Sequence, residues 1–167
     1  MIIFGVNNLL MSIRIYIDTS VVGGYFDDEF EIATKRFFTW FENNDVKCVI
    51  SDLLDLELLH APEKVRMSLD KYHSEKFERI NLNQSAVILA DEYIRKKVVG
   101  ISSLEDCRHI AMATIAKVDF VVSWNFKHIV NMEKIIGYNS VNLRMGYLPI
   151  DILTPIELFN HENFKAE

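Results

Sequence analysis

The chain has 167 residues, half of them hydrophobic, which suits one ordinary domain with a core large enough to need no disulfide or metal staple. Its formal charge of −6 lacks the basic footprint of a simple nucleic-acid binder, although carboxylates gathered around a divalent cation make a phosphate-binding protein acidic in the same way. Cys48 and Cys107, with His60, His73, His109, His128 and His161, fit no zinc or redox spacing, which argues against a helical zinc enzyme and for a reducing cytoplasm.

Residues 1–12 start apolar, but they lack a basic start, are interrupted by Asn7 and Asn8, and are followed by no small-residue cleavage site. They are expected to be an N-terminal extension, or the result of an upstream start codon before Met11, ahead of a single domain over 13–160 and a tail at 161–167. No run approaches the roughly eighteen apolar residues of a membrane span, so a cytoplasmic protein without a membrane partner is expected. Ile13-Arg14-Ile15-Tyr16-Ile17 alternates as a mostly buried strand, and Asp18-Thr19-Ser20 stops it abruptly. Val21-Val22-Gly23-Gly24 and the acidic residues 27–29 read as a loop. Gly23-Gly24 lacks the third glycine of a dinucleotide fingerprint, and no Gly-Lys-Ser/Thr phosphate loop occurs.

Glu31 to Asn43 carries Ile32, Ala33, Phe37, Trp40 and Phe41 at helical spacing; with Phe38 these aromatics supply either core or a contact surface for a partner or a second copy in a homodimer. Val46 to Ser51 is a second strand, Asp52 an expected N-cap, and Leu53 to His60 a helix. Glu63 to Glu78 reads as a charged helix and Arg79 to Leu82 as a short strand. Asn83 caps a helix to Lys97 that Gly100 ends. Ser102-Ser103 opens a helix to about Lys117, Asp119 to Ser123 is a strand, Met132 to about Gly137 a helix, Ile150 to Leu153 a strand, and Pro155 starts a last helical turn. Strands alternating with helices predict an α/β fold, a parallel sheet covered on both faces.

In such sheets ligands bind beyond the carboxyl ends of the strands, and four polar residues map there. Asp18 ends the first strand. Glu57 lies on a leucine-lined helical face after the second, where an acid is costly unless paired or bound to a cation. Asp106 heads the apolar stripe of Ile110 and Ala113, although Ser103-x-x-Asp106 also matches a capping box in which the acid only closes the helix end. Asn125 follows the strand at Ser123, where Asn is also an ordinary turn former. Asp119 and Asp151 stand at strand starts and belong to the opposite edge. Crowded carboxylates raise one another's pKa values, and a bound Mg²⁺ or Mn²⁺ relieves this.

Ile-Asp18-Thr19-Ser20, Ser51-Asp52-Leu-x-x-x-Glu57, Asp106-x-x-His109-Ile110-Ala111-x-Ala113 and Val121-Val122-Ser123-Trp124-Asn125 together resemble, in order, the successive motifs of PIN-domain nucleases, most of all the small stand-alone VapC-type ribonuclease toxins. The resemblance runs from about Ile13 to Leu158. It implies a three-layer α/β/α sandwich with a central, mainly parallel sheet, and metal-dependent cleavage of RNA leaving 5′-phosphate and 3′-hydroxyl ends. By this carry-over Asp18, Glu57 and Asp106 hold Mg²⁺ or Mn²⁺, with Ser20 and Ser123 supporting the first acid. Asn125 stands where many relatives have Asp; its amide ligates or orients water but adds no charge. An RNA substrate and a cognate antitoxin that blocks the groove are the implied partners. Lys35, Arg36, Lys127 and His128 are candidates for contact with the RNA backbone. Two rivals are a PIN-like binding module with little or no cleavage, and a phosphatase using Asp18 as nucleophile. The second lacks the further Asp two residues on, where Ser20 stands.

Overall fold

A computed structural model describes residues 12–160. The expected tail at 161–167 and all of the expected extension except Ser12 lie outside the described residues. Within them, β1 (Ile13–Ile17), β2 (Val46–Ser51), β3 (Phe77–Ile80), β4 (Phe120–Val122) and β5 (Asp151–Leu153) form one sheet in the order β3-β2-β1-β4-β5, with every neighbouring pair parallel. The strand order reverses between β1 and β4, so the carboxyl ends of those two strands flank the crevice where open α/β sheets place their ligands.

Period-two alternation along β1 divides the core. Tyr16 joins Val49, Val121 and Ile152 on one face, whereas Ile15 and Ile17 join Cys48, Ile50, Phe120 and Val122 on the other. Helices α5 (Gln84–Arg95), α6 (Leu104–Ile115) and α7 (Met132–Arg144) cover the first face; α1 (Thr19–Gly24), α2 (Glu31–Asn43) and α8 (Pro155–Asn160) cover the second. Helix α3 (Asp52–Leu58) contributes Leu53 to one core and Leu54 and Leu58 to the other. The three-layer α/β/α expectation is met. Phe37, Phe38 and Phe41 of α2 are buried, so they are core; Trp40 is half-buried and packs edge-on to Phe159. Both cysteines are free and buried. No helix of the described residues is long and apolar enough to cross a membrane.

Several local expectations need correction. Residues 19–24 are helical rather than a loop. Gly24 is needed for close approach: a Cβ there would lie 2.8 Å from the Trp124 ring and 2.9 Å from Thr34 Oγ1. Ser51, not Asp52, caps α3 by accepting from Leu54 N–H at 3.2 Å, and Asp52 Oδ1 accepts from Leu82 N–H instead. Of the charged stretch 63–78 only α4 (Glu63–Arg66) is α-helical; it is followed by turns and a 3-10 turn at Ser74–Lys76. Its few apolar side chains give a long helix no continuous stripe to bury. Helix α5 ends at Arg95 with Lys96 as its C-cap, and Lys97 just beyond, at φ 58, turns the chain in place of Gly100. Helix α7 continues past Gly137 because Tyr138 and Val141 carry its buried face onward.

Candidate functional site

Asp18 leaves the sheet at the end of β1, where it is only 4 % exposed. Two hydroxyls hold it: Ser20 Oγ donates to Oδ1 at 2.6 Å and Ser123 Oγ to Oδ2 at 2.8 Å. Those serines are fixed in turn, because Ser20 Oγ accepts Trp124 N–H at 2.8 Å and Ser123 Oγ accepts Asn125 N–H at 2.9 Å. The ends of β1 and β4 are thereby tied across the strand-order reversal. Burial pushes the Asp18 carboxyl above its ordinary value; the charge of His109 and the two serine hydrogen bonds oppose that, and the charge of Glu57 adds to it.

Glu57 reaches the same edge from the last turn of α3. The Thr19 hydroxyl donates to its Oε2, and His109 Nε2 lies 3.1 Å and 3.2 Å from its two oxygens. Burial works to raise the Glu57 carboxyl, but the hydrogen bond and charge of His109, helped by Thr19, hold it below the ordinary value. His109 shows the complementary balance. Burial works to lower it, while Glu57 and the charges of Asp18 and Asp106 raise it. Each partner thus favours the charged form of the other. On its other side His109 Nδ1 meets Tyr16 OH at 2.7 Å, and Tyr16 OH meets Ser51 Oγ at 2.8 Å. The chain of contacts runs from Glu57 through the sheet to the cap of its own helix.

Asp106 is in the first turn of α6, and Ser103 makes no side-chain capping bond there, so the capping-box reading fails. Asn125 Nδ2 donates to Asp106 Oδ1 at 2.9 Å, while Asn125 Oδ1 accepts His128 N–H at 3.0 Å. Burial raises the Asp106 carboxyl; His128 and His109 counter it, and Asp18 and Glu57 push it further up. Asp119 lies at the other edge, where its Oδ2 accepts Arg14 N–H at 2.8 Å, and Asp151 pairs with Phe120 at the start of β5.

Asp18, Glu57 and Asp106 thus share one electrostatic neighbourhood, with Asn125 bonded to the third. Among the described residues, however, no three His, Cys, Asp or Glu side chains stand close enough to hold an ion as a set. The donor chemistry nonetheless fits a hard divalent cation: the groups are carboxylate oxygens, two of them raised by burial, and magnesium keeps several waters between itself and the protein. Of the basic candidates, Lys35 pairs with Glu31 and Arg36 lies 4.5 Å over the Phe159 ring, whereas Lys127 is exposed and His128 is near enough for its charge to act on Asp106. His109, Tyr16, Thr19 and Ser51 are the site residues that sequence reasoning gave no role. The signal for His109 was its place three residues after Asp106 on the same helical stripe.

No family model matches the chain, and no curated protein matches it by sequence. Solved structures match by shape. A VapC toxin of Mycobacterium tuberculosis, described as cleaving the sarcin-ricin loop, aligns with TM-score 0.54 at 11 % identity over 68 % of this chain and 91 % of its own. The DNA-bound VapBC of Salmonella typhimurium aligns with TM-score 0.53 at 16 % identity over 86 % and 98 %. FitAcB of Neisseria gonorrhoeae aligns with TM-score 0.56 at 12 % identity over 85 % and 98 %. The chain has the fold of these toxins, and the resemblance to PIN-domain proteins is borne out at the level of fold.

Proposed function

We propose that the chain is a metal-dependent endoribonuclease that hydrolyses RNA phosphodiester bonds, acting in the cytoplasm as the toxin of a toxin–antitoxin pair. The observation that carries the reading is the placing of Asp18, Glu57 and Asp106 in one neighbourhood beyond the ends of β1 and β4, where Ser20 and Ser123 hold Asp18, Thr19 and His109 hold Glu57, Asn125 holds Asp106, and the charge of Glu57 acts on both aspartates. Similarity of fold to VapC and VapBC proteins supports the toxin class and an antitoxin partner.

In this reading Asp18, Glu57 and Asp106 hold Mg²⁺ or Mn²⁺, directly or through water. The bound ion would supply a lowered water pKa and charge stabilisation at phosphorus. The protein's own groups do the positioning. Ser20 and Ser123 keep both oxygens of Asp18 in place; Thr19 and His109 do so for Glu57, and Asn125 for Asp106. His109 also faces Glu57, and positive charge on its ring would offset the crowding of the three acids.

Purified protein is expected to cut RNA with Mg²⁺ or Mn²⁺ and to stop with chelator. Asp18→Asn and Asp106→Asn should each lose at least about 100-fold while remaining folded by circular dichroism, since the lost stabilisation is worth several kcal/mol. Cleavage by both variants at the wild-type rate would remove the mechanism. One observation favours a PIN-like binding module instead: every one of the three carboxylates already accepts a hydrogen bond from the protein. Calorimetric titration with Mn²⁺ separates the readings, because a binding module would show weak uptake that Asp18→Asn leaves unchanged.

A further inference from the structure

Sharing Glu57 with the carboxylate cluster, a cavity of about 380 Å³ opens between α3, the start of α6 and the segment joining β3 to α5. Leu53, Leu56 and Leu82 give it apolar walls, and Asp52, Glu105 and Arg108 give it polar groups. Leu56 is 59 % exposed, an apolar side chain left to solvent at the rim of an acidic site.

Arg108 lines this cavity with a donor to spare. Its Nη1 donates to Glu105 at 2.7 Å, whereas Nη2 makes no hydrogen bond among the described residues. A guanidinium held on one side and open on the other is placed to donate to a ligand that brings acceptors. Asp52 offers the opposite group. Its Oδ1 accepts Leu82 N–H at 3.0 Å, which fixes the carboxylate and leaves Oδ2 without a hydrogen-bond partner among the described residues.

We propose that this cavity receives one unstacked guanine of a single-stranded RNA, beside the phosphate on which the carboxylates act, with Arg108 donating to its O6 and N7 edge and Asp52 accepting from N1–H or the 2-amino group. The proposal rests on the nuclease reading above and names the base next to the scissile bond. Three properties of the cavity select this occupant. A flat ring is desolvated by leucine walls, as extruded bases are elsewhere. Guanine places two acceptors where a guanidinium can meet them, which is the commonest specific contact of arginine with a base. It also presents two donors to a carboxylate, whereas adenine turns its amino group towards the arginine and has no N1–H. A basic peptide side chain would satisfy the acids but would bring no acceptor to Arg108 and would face its charge.

The test is an NMR titration of metal-free protein, in excess chelator, with guanosine, adenosine, cytidine and uridine. These neutral probes carry no phosphate and need no ion. Guanosine is expected to shift resonances of residues 52–56, 82 and 105–108 and to bind about tenfold tighter than adenosine, the low end of what one bidentate base contact provides. Arg108→Met should erase that preference. Leu56→Trp, which fills the cavity from its exposed side, should abolish guanosine binding with the fold intact. Equal or absent binding of all four nucleosides, or a preference unchanged in Arg108→Met, would overturn the proposal. So would shifts at these residues with an acetylated Arg-Leu amide and none with guanosine, which would assign the cavity to a protein partner. The two readings fail separately. RNA cleavage indifferent to base identity in wild type and Arg108→Met sinks the guanine pocket alone, while guanosine binding without any RNA cleavage sinks the nuclease reading.

Discussion

Asn125 holds its amide by both ends, and this decides what the residue can do. Because its oxygen accepts the His128 N–H, its NH₂ must face Asp106. The amide therefore steadies an acid, a role that neither its turn-former reading nor its place in a motif disclosed. A carboxylate at position 125 would face Asp106 with like charge. Asn125→Asp is expected to destabilise metal-free protein by about 1–2 kcal/mol through that repulsion and the lost donor. Saturating Mn²⁺ should reverse the effect, which thermal melts with and without the ion will read; a variant as stable as wild type in chelator would contradict the arrangement. His109 is the other residue whose partners only the fold reveals. It is 2 % exposed and joins Glu57 to Tyr16, so His109→Ala removes ring volume and two buried hydrogen-bond contacts together. A loss of about 2–3 kcal/mol in urea unfolding is expected, against about 1 kcal/mol for Tyr16→Phe, which removes one hydroxyl.

At the scale of elements, the strands and long helices follow their periodicity, and the misread segments are those whose form depends on a neighbour. Strand β2 and helix α2 run as their apolar spacing predicts. Helix α1 does not, because two glycines and no charge make a poor local helix; Val21 and Val22 are buried against the β1 face, and Gly24 lets the Trp124 ring approach. Gly24→Ala, neutral or favourable in an isolated helix, is expected to cost about 1–3 kcal/mol here because its methyl group meets Trp124 and Thr34. A melting temperature equal to that of wild type would show that the tryptophan moves aside freely. Just beyond helix α5, Lys97 stands at φ 58, a conformation that glycine adopts without strain. Lys97→Gly should therefore raise stability by about 1 kcal/mol, measured by the same melts, despite adding a flexible residue.

Across the whole molecule, Arg14 binds the edge of the sheet opposite the site. Its Nε and Nη2 hold the two oxygens of Glu78 at 2.8 Å and 2.5 Å, and its Nη1 donates to Ala116 O at 2.8 Å, joining β1, β3 and the end of α6. The Arg14 hydrogen bond holds the Glu78 carboxyl below its ordinary value, with burial opposing. A depressed carboxyl pKa stabilises the fold above the unfolded value, about 4.3, and that contribution disappears as pH falls through the lower folded value. Glu78→Gln should thus be about 1 kcal/mol less stable than wild type at pH 6, a figure kept small by solvent screening of a partly exposed pair. The difference should shrink towards zero in acid; a gap that persists below the carboxylate range would show that the charge is not its source.

Residue order alone determined the layers and the edge. Alternation in β1 sends Tyr16 and its flanking isoleucines to opposite faces, and a parallel sheet puts Asp18 and Ser123 at one end and Asp119 and Asp151 at the other. These follow from periodicity and strand direction, which are local and geometric. Which atoms meet at that edge was decided only by the tertiary structure. Glu57 and His109 are fifty-two residues apart, Ser123 and Asp18 one hundred and five, and the buried Arg108 Nε is left without a partner among the described residues by packing that no local pattern records. Hydrogen bonds and charges act over a few ångströms of space, so their partners are set by how the helices close over the sheet and not by spacing along the chain.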